Sequence, residues 1–207
     1  MRTLECNGGA AVTPLERTAE SLRQRGFAVS VFATAAEAAD YLDSVIDRTT
    51  VGFGGSMTLE AMHLWERVGS HNAVYSHLHG FPLGPEAAEA AVYVTSVNGL
   101  AETGEVVNID GIGNRVASTL YGHDKVYLVA GRNKIAPTEE AAVFRARNTA
   151  APLNARRKQM RTPCAVNGDR CYDCKSPDRV CRGLVILWGP MTGMETEVVL
   201  IDEELGY

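Results

Sequence analysis

The sequence lacks any run of about 18 apolar residues, so it predicts no membrane-spanning helix. It also lacks an excess of positive charge, because 20 lysine and arginine residues stand against 25 aspartate and glutamate residues in a chain of 207. With a formal net charge of −5, no overall field favours nucleic acid or an anionic membrane, and any anion site has to be local. The start carries no apolar stretch typical of a secretory signal. We therefore expect a cytoplasmic protein that is flexible over residues 1–12.

Signatures of the common nucleotide cofactors are also missing. Residues 52–56 are glycine-rich, but the glycine spacing does not fit the dinucleotide fingerprint, and no lysine follows as in a P-loop. The sequence therefore predicts no site for NAD, a flavin or ATP. If the protein takes part in an oxidation, another component has to carry the electrons.

Helical and strand patterns alternate along most of the chain. Thr13, Pro14 and Glu16 have the pattern of a capped helix start, and apolar runs and amphipathic segments then follow in turn. This order favours an α/β fold with a mostly parallel sheet and helices on both faces. No repeat or linker divides residues 1–207, so we expect a single domain. Strands are predicted at residues 27–32, 50–53, 73–75, 91–95 and 125–130.

The C-terminal part has a different pattern. A cysteine-rich loop at residues 160–183 precedes two β-like runs, at residues 184–188 and 197–201. Turn-forming glycine and proline residues lie between the two runs. We expect the runs to pair as an antiparallel hairpin at the edge of the sheet.

The glycine loop, residues 52–56, lies between a predicted strand and a predicted helix. Backbone N–H groups in such a loop form a concave cradle for a carboxylate or a phosphate. The glycines also fit a tight turn without a ligand, but a position at the carboxyl end of a parallel strand favours binding. The predicted ligand-binding residues here are Gly54, Gly55, Ser56 and Met57.

Residues 98–115 form a polar, glycine-rich segment that follows a predicted buried strand, and residues 102–105 within it are expected to form a tight hairpin turn. Such a segment is typical of an active-site loop, because its side chains supply convergent hydrogen bonds and its glycines admit a ligand to the backbone. Asp110 is a candidate general base and Arg115 a candidate anion clamp. Taken singly, Asn98 and Asn108 also fit turns, and Asp110 fits a helix cap. Further ligand-binding candidates are Asn108, Gly111 and Asn114.

Two polar residues, Asn133 and Lys134, follow the predicted strand at 125–130 and are expected at the same edge of the sheet. Lys134 either holds a carboxylate as a point charge or is a solvated loop cation. His77 and His79 have no carboxylate or cysteine nearby in the sequence to complete a metal site, so we expect both in a surface loop.

Four cysteines, Cys164, Cys171, Cys174 and Cys181, have the spacing C-x6-C-x2-C-x6-C. Four thiolates on turns can bind zinc or an iron–sulfur cluster, and nearby arginines and lysines would offset their charge. The alternatives are unliganded thiols, or a redox pair formed by the two central cysteines. Cys6 stands apart and is expected to be inert.

Five segments resemble the LUD family, also called lactate-utilisation protein C. They span much of the chain in the same order as in the family and include the glycine loop and the polar segment. The segments are GFGGSMTLE at 52–60, NIDGIGNRVA at 108–117, GRNKI at 131–135, AAPLNAR at 150–156 and SPDR at 176–179.

The resemblance implies a fold like that of ribose-phosphate isomerases, glucosamine-phosphate deaminases and CoA transferases. It also implies a bacterial system in which two partner proteins, one of them an iron–sulfur protein, help to oxidise L-lactate to pyruvate. Related sugar-phosphate isomerases have a catalytic aspartate where this chain has Asn98. Because an amide does not exchange protons at neutral pH, Glu105 or Asp110 would have to take that part. The resemblance thus implies a subunit of this lactate-oxidising system that binds a small hydroxy- or oxo-acid. The alternatives are a stand-alone isomerase or CoA-transferase-like enzyme and a non-catalytic small-acid sensor or scaffold.

Overall fold

The structure, a computed structural model, describes residues 11–80 and 84–207. The expectation of an inert Cys6, and all but the last two residues of the segment 1–12 that is expected to be flexible, lie outside the described residues. No helix in the described ranges is both long enough and apolar enough to cross a membrane.

The main sheet has six strands, and every neighbouring pair in it is parallel. In spatial order the strands are β1, β10, β7, β4, β2 and β3. Their residues are Ala28–Phe32 (β1), Thr50–Phe53 (β2), Ala73–Tyr75 (β3), Val92–Ser96 (β4), Lys125–Gly131 (β7) and Glu195–Ile201 (β10). The predicted fold class, α/β with a mostly parallel sheet, is therefore confirmed.

A smaller mixed sheet packs beside the main one, with the strand order β8, β5, β6, β9. Its central hairpin turns at Gly104, which has a φ of +93° that favours glycine. The hairpin predicted around residues 102–105 is thus present. The strands are Gly99–Ala101 (β5), Val106–Asp110 (β6), Ile135–Ala136 (β8) and Gly183–Leu187 (β9).

The predicted C-terminal hairpin is wrong. β9 pairs antiparallel with β6 in the small sheet, whereas β10 lies between β1 and β7 in the main sheet and is parallel to both. The reason is burial, because Val198, Val199, Leu200 and Ile201 are all fully buried. A run that is apolar on both faces belongs at the centre of a parallel sheet, where helices or a second sheet cover both sides.

Capped helices cover the main sheet. Thr13 and Thr34 each form a capping box, with Glu16 and Glu37 respectively. His63, with a φ of +50°, separates α3 from α4, so residues 57–68 form two short helices and not one continuous helix. The helices are Pro14–Gln24 (α1), Ala35–Val45 (α2), Met57–Ala61 (α3), Leu64–Val68 (α4), Pro85–Ala88 (α5), Asn114–Ser118 (α6), Glu139–Arg145 (α7), Ala151–Arg157 (α8) and Pro163–Asn167 (α9).

The core has three apolar layers. One lies between the main sheet and α2, α3 and α4, and a second lies between the main sheet, α1 and the small sheet. A third joins the outer face of the small sheet to α7, which continues through a π-helical turn at Ala146–Ala150 into α8. This stacking brings the ends of β2, β4, β6 and β7 close to α8.

Candidate functional site

A cavity of about 350 Å³, here called the main cavity, lies where the parallel strands β2, β4 and β7 end. Residues after β2, after β4 and after β7 line it, and the end of β6 reaches it from the small sheet. The arrangement agrees with the general rule that ligands of open α/β sheets bind beyond the carboxyl ends of the strands. Of the residues predicted from sequence, the structure brings to the cavity Gly55, Ser56, Met57, Asn98, Asp110, Gly111, Asn114, Arg115 and Lys134.

The glycine loop is compact because its glycines touch other elements. A Cβ atom on Gly54 would lie 2.4 Å from the hydroxyl oxygen of Thr95, and one on Gly55 would lie 3.0 Å from the ring of His77. Ser56 is the N-cap of α3, and its hydroxyl accepts from the N–H groups of Thr58 and Leu59. Close packing therefore explains why position 54 is a glycine. Gly54 is not among the described residues that line the cavity.

We expect Gly54→Ala to lower the free energy of unfolding by about 2–3 kcal/mol, because the new methyl group has no room beside β4. Gly183→Ala is the matched control, since a Cβ atom there meets nothing within 4 Å. Urea unfolding of both variants measures the effect. Equal stability of the two would show that the loop is not packed as described.

Arg115 is the most extensively bonded side chain at the cavity. Its guanidinium donates to the side-chain oxygens of Asn98 (2.9 Å) and Asn108 (2.6 Å) and to the backbone oxygens of Ser96 (3.1 Å) and Ile109 (2.7 Å). Nε lies 3.7 Å from the carboxylate of Asp110. Burial lowers the pKa of Arg115, and Asp110 opposes that shift. Protein acceptors thus occupy most of its donors, and the guanidinium organises the polar segment.

Asp110 is bound mainly to backbone. One carboxylate oxygen accepts from the N–H groups of Gly111 (2.7 Å), Ile112 (3.2 Å) and Gly113 (3.3 Å), and the other accepts from Val116 N–H at 3.3 Å. This geometry shapes the turn before α6. The N-cap residue of α6 is Gly113 and not Asp110, but the Asp110 carboxylate still binds the first turn of the helix through Val116 and lines the cavity.

Lys134 lies on the cavity floor and is only 3% exposed. Its ammonium group donates to the hydroxyl oxygens of Thr58 (2.7 Å) and Ser96 (2.6 Å). No ion pair to a carboxylate is found for it within the described ranges. Burial first, and then the positive charges of Arg145 and Arg115, lower the pKa of Lys134 to about 7. The side chain is therefore not a solvated loop cation, and at neutral pH a substantial fraction of it is an uncharged amine.

Three residues predicted from sequence have other surroundings. Glu105 pairs with Arg25, the C-cap residue of α1, and accepts a hydrogen bond from Thr103, so the structure does not bring it to the cavity. Asn133 holds the C-terminal segment through the backbone of Leu205 and Gly206. Asn108 is fully buried beneath the cavity, where its Nδ2 atom has no partner among the described residues.

The sequence did not reveal several cationic side chains of the cavity. Arg157 and Lys158 come from the end of α8, and Arg179 and Arg182 come from the cysteine-rich segment. His77, expected in a surface loop, is half-buried and lines the cavity, and burial lowers its pKa. The four cationic residues lie far from the glycine loop in sequence, and only the packing of α8 and of the segment before β9 brings them to it.

The electrostatic balance of the cavity is opposite to that of the chain. Among the described residues, its lining includes six lysine or arginine side chains and two carboxylate side chains, Asp110 and Asp178. Asp110 lies beside Arg115, and Asp178 accepts a hydrogen bond from Arg161 at 3.0 Å. The local field therefore favours an anion, although the whole protein carries a net charge of −5.

Comparisons with known proteins identify the fold through a solved structure and the family through a family model. The crystal structure of a DUF162 family protein from Deinococcus radiodurans, at 1.70 Å resolution, is similar with a TM-score of 0.56 and 17% sequence identity. The similarity covers 91% of this chain and 96% of that one. No functionally curated protein matches the sequence significantly. The family model of the LUD domain matches residues 15–201, and the chain therefore belongs to the LUD domain family.

Proposed function

We propose that the main cavity binds a small organic acid, a 2-hydroxy or 2-oxo carboxylate, and that the protein serves in the oxidation of L-lactate together with iron–sulfur partner proteins. The observation that carries the proposal is the concentration of cationic side chains around a concave site in an acidic protein. The lactate-oxidising setting rests on the family. Within it, this chain supplies the acid-binding subunit of a cytoplasmic assembly, and the partners carry the electrons.

The size and charge of the cavity support this ligand class. At about 350 Å³ it lies at the lower end of the range of small-molecule sites, which begins at about 300 Å³. Lys134 lies at the floor, whereas the side chains of Arg157 and Lys158 lie at the exposed rim. A small acid would therefore place its carboxylate among several cations and its reacting carbon near the floor.

Lys134 is the residue best suited to exchange a proton with the ligand. Thr58 and Ser96 accept two of the three ammonium hydrogens, which leaves one hydrogen, or a lone pair after deprotonation, for a ligand oxygen. A base with a pKa near the working pH transfers protons most effectively. Lys134 thus acts as the general acid or base, a role that the sequence suggested for Asp110 or Glu105.

The same lysine supports a second candidate, a stand-alone enzyme of the isomerase type. In that case Lys134 would remove the proton beside the carbonyl group of a phosphorylated or carboxylated substrate. The two candidates differ in what they require. A stand-alone enzyme converts substrate as a purified chain, whereas the subunit supports lactate oxidation only when the partner proteins are present.

Titration calorimetry with pyruvate and L-lactate tests acid binding. We expect binding that weakens with added salt, because salt screens the attraction between the rim cations and the carboxylate. The double variant Arg157→Gln, Lys158→Gln should raise Kd about fivefold or more, since it removes two of these cations. Arg48→Gln is the control, because that side chain is 90% exposed and lies outside the cavity lining. Absence of heat for both acids, or an equal effect of the control, would contradict the proposal.

A further inference from the structure

Residues 160–183, called the cysteine loop from here on, carry four cysteines that lie around one small cavity. Cys164 lies in α9, and the other three lie in the irregular segment after it, yet all four line one small space of about 10 Å³. Each is a half-buried free thiol. Side chains that are spread over 18 positions of sequence thus border the same small cavity.

Hydrogen-bond donors surround the sulfur atoms. The backbone N–H of Asp173 donates to Cys171 Sγ at 3.4 Å, and the guanidinium of Arg179 donates to Cys181 Sγ at 3.5 Å. Arg147 approaches Cys171 Sγ at 3.9 Å, and Thr162 Oγ1 lies 3.3 Å from Cys164 Sγ. Donors and cations of this kind stabilise thiolates, which are the form that binds metal.

The cysteine loop has little regular structure to hold it in place. Between α9 and β9 no helix or strand is formed over residues 168–182. Asp173, between two of the cysteines, has a φ of +47°, a conformation that non-glycine residues rarely adopt. Irregular segments of this length are uncommon in compact domains unless they serve a function.

We propose that Cys164, Cys171, Cys174 and Cys181 together bind one thiophilic metal centre, a zinc ion or an iron–sulfur cluster. Both centres take four cysteine thiolates. Among residues 11–80 and 84–207, no three histidine, cysteine, aspartate or glutamate side chains are grouped closely enough to hold an ion as they stand. Binding therefore draws the four thiolates inward around the metal and tightens the loop.

The metal centre also has a consequence for the main cavity. Pro177, Asp178, Arg179 and Val180 of the cysteine loop line that cavity, and Arg179 also faces the cysteines. Gly111, next to Asp110, packs against the backbone of Val180, since a Cβ atom there would lie 2.9 Å from its oxygen. Metal binding therefore fixes one wall of the main cavity. This consequence rests on the proposed acid-binding function, whereas the metal site itself does not.

Metal analysis of the full chain, purified without oxygen and without chelator, tests the site. We expect about one zinc per chain, or about four irons with equivalent sulfide and visible absorption that bleaches on reduction. Cys171→Ser and Cys174→Ser should each lower the metal content more than tenfold, and Cys6→Ser, which changes the remaining cysteine, should not. Circular dichroism checks that the variants are folded.

Two results would overturn the proposal. One is folded protein that holds neither metal and takes up neither Zn²⁺ nor ferrous iron with sulfide. The other is unchanged metal content in both serine variants. Acid binding is then titrated separately in loaded and depleted protein. Metal content that depends on the cysteines, with no acid binding by loaded protein, would contradict only the proposed function.

Discussion

Lys134→Met is expected to stabilise the protein at pH 7 by about 2 kcal/mol or more, because each unit of pKa shift corresponds to about 1.4 kcal/mol. The pKa of Lys134 is lowered from 10.5 to about 7, so the unfolded chain binds a proton that the folded protein holds poorly. Methionine removes this cost and has a similar length. Ser96 and Thr58 remain hydrogen-bonded to each other at 3.2 Å, and Thr58 also donates to the backbone oxygen of Leu205.

The pH dependence has a definite sign. Between pH 7 and 10.5 the unfolded state binds more protons at this position than the folded state, so wild-type stability rises with pH through that window. The advantage of Lys134→Met is therefore largest at and below pH 7 and disappears near pH 10.5. Urea unfolding of both proteins from pH 6 to 10 measures this difference. A constant difference, or one that grows with pH, would be inconsistent with a neutral lysine.

Lys125→Met is a control that is expected to change the free energy of unfolding in the opposite direction. Lys125 lies 3.1 Å from the buried carboxylate of Glu197, and hydrogen bonding to that carboxylate raises its pKa despite the opposing effect of burial. Because a raised pKa contributes stability that is lost only at high pH, removal of this lysine should destabilise the protein at pH 7. In acid-binding assays the two variants should also differ, since only Lys134 lines the main cavity.

The second large effect is expected for Arg115→Met, a loss of about 3–5 kcal/mol in the free energy of unfolding. The change removes the donors that hold Asn98 and Asn108, and it leaves the carboxylate of Asp110 without its cation. Asn108 is fully buried and its Nδ2 atom is already unpaired among the described residues, so it would keep no side-chain partner there. Buried polar groups without partners are costly.

Arg132→Met is the matched control for that prediction. Arg132 also pairs with an aspartate, Asp202, at 3.2 Å, but both side chains are about half exposed. Exposed pairs contribute about 0–1 kcal/mol, so the control should unfold nearly as wild type does. A loss of less than about 1 kcal/mol for Arg115→Met would mean that the polar segment does not depend on this guanidinium.

The parts of the fold that depend on local pattern could be predicted from the sequence. The cap at Thr13, the strand at residues 50–53 and the turn at Gly104 follow from neighbouring residues, and all are present. The pairing of β9 and β10 was not predictable in this way, because adjacency in sequence favours a hairpin. Only the burial of both faces of β10 places it between β1 and β7.

In the candidate site, too, features set by local sequence could be predicted, whereas features set by contacts between distant segments could not. The glycine loop, Asn98 and Lys134 were expected at one sheet edge because each follows a strand, and the structure brings them together. The acidic residues were harder to assign, since Asp110 and Glu105 both looked like bases by type. Their partners differ, however, with backbone N–H groups around the first and Arg25 beside the second. Neither contact can be read from the sequence.

Chemical-shift mapping of ¹⁵N-labelled protein during titration with pyruvate tests the central claim most directly, because it reports where the acid binds. We expect saturable shifts concentrated at Gly55, Ser56, Asn98, Gly111 and Asn114, which belong to separate segments that meet at the main cavity. The same titration of Lys134→Met should shift these signals less at equal pyruvate concentration. Shifts confined to residues outside the cavity lining, or no saturable shifts at all, would contradict the account.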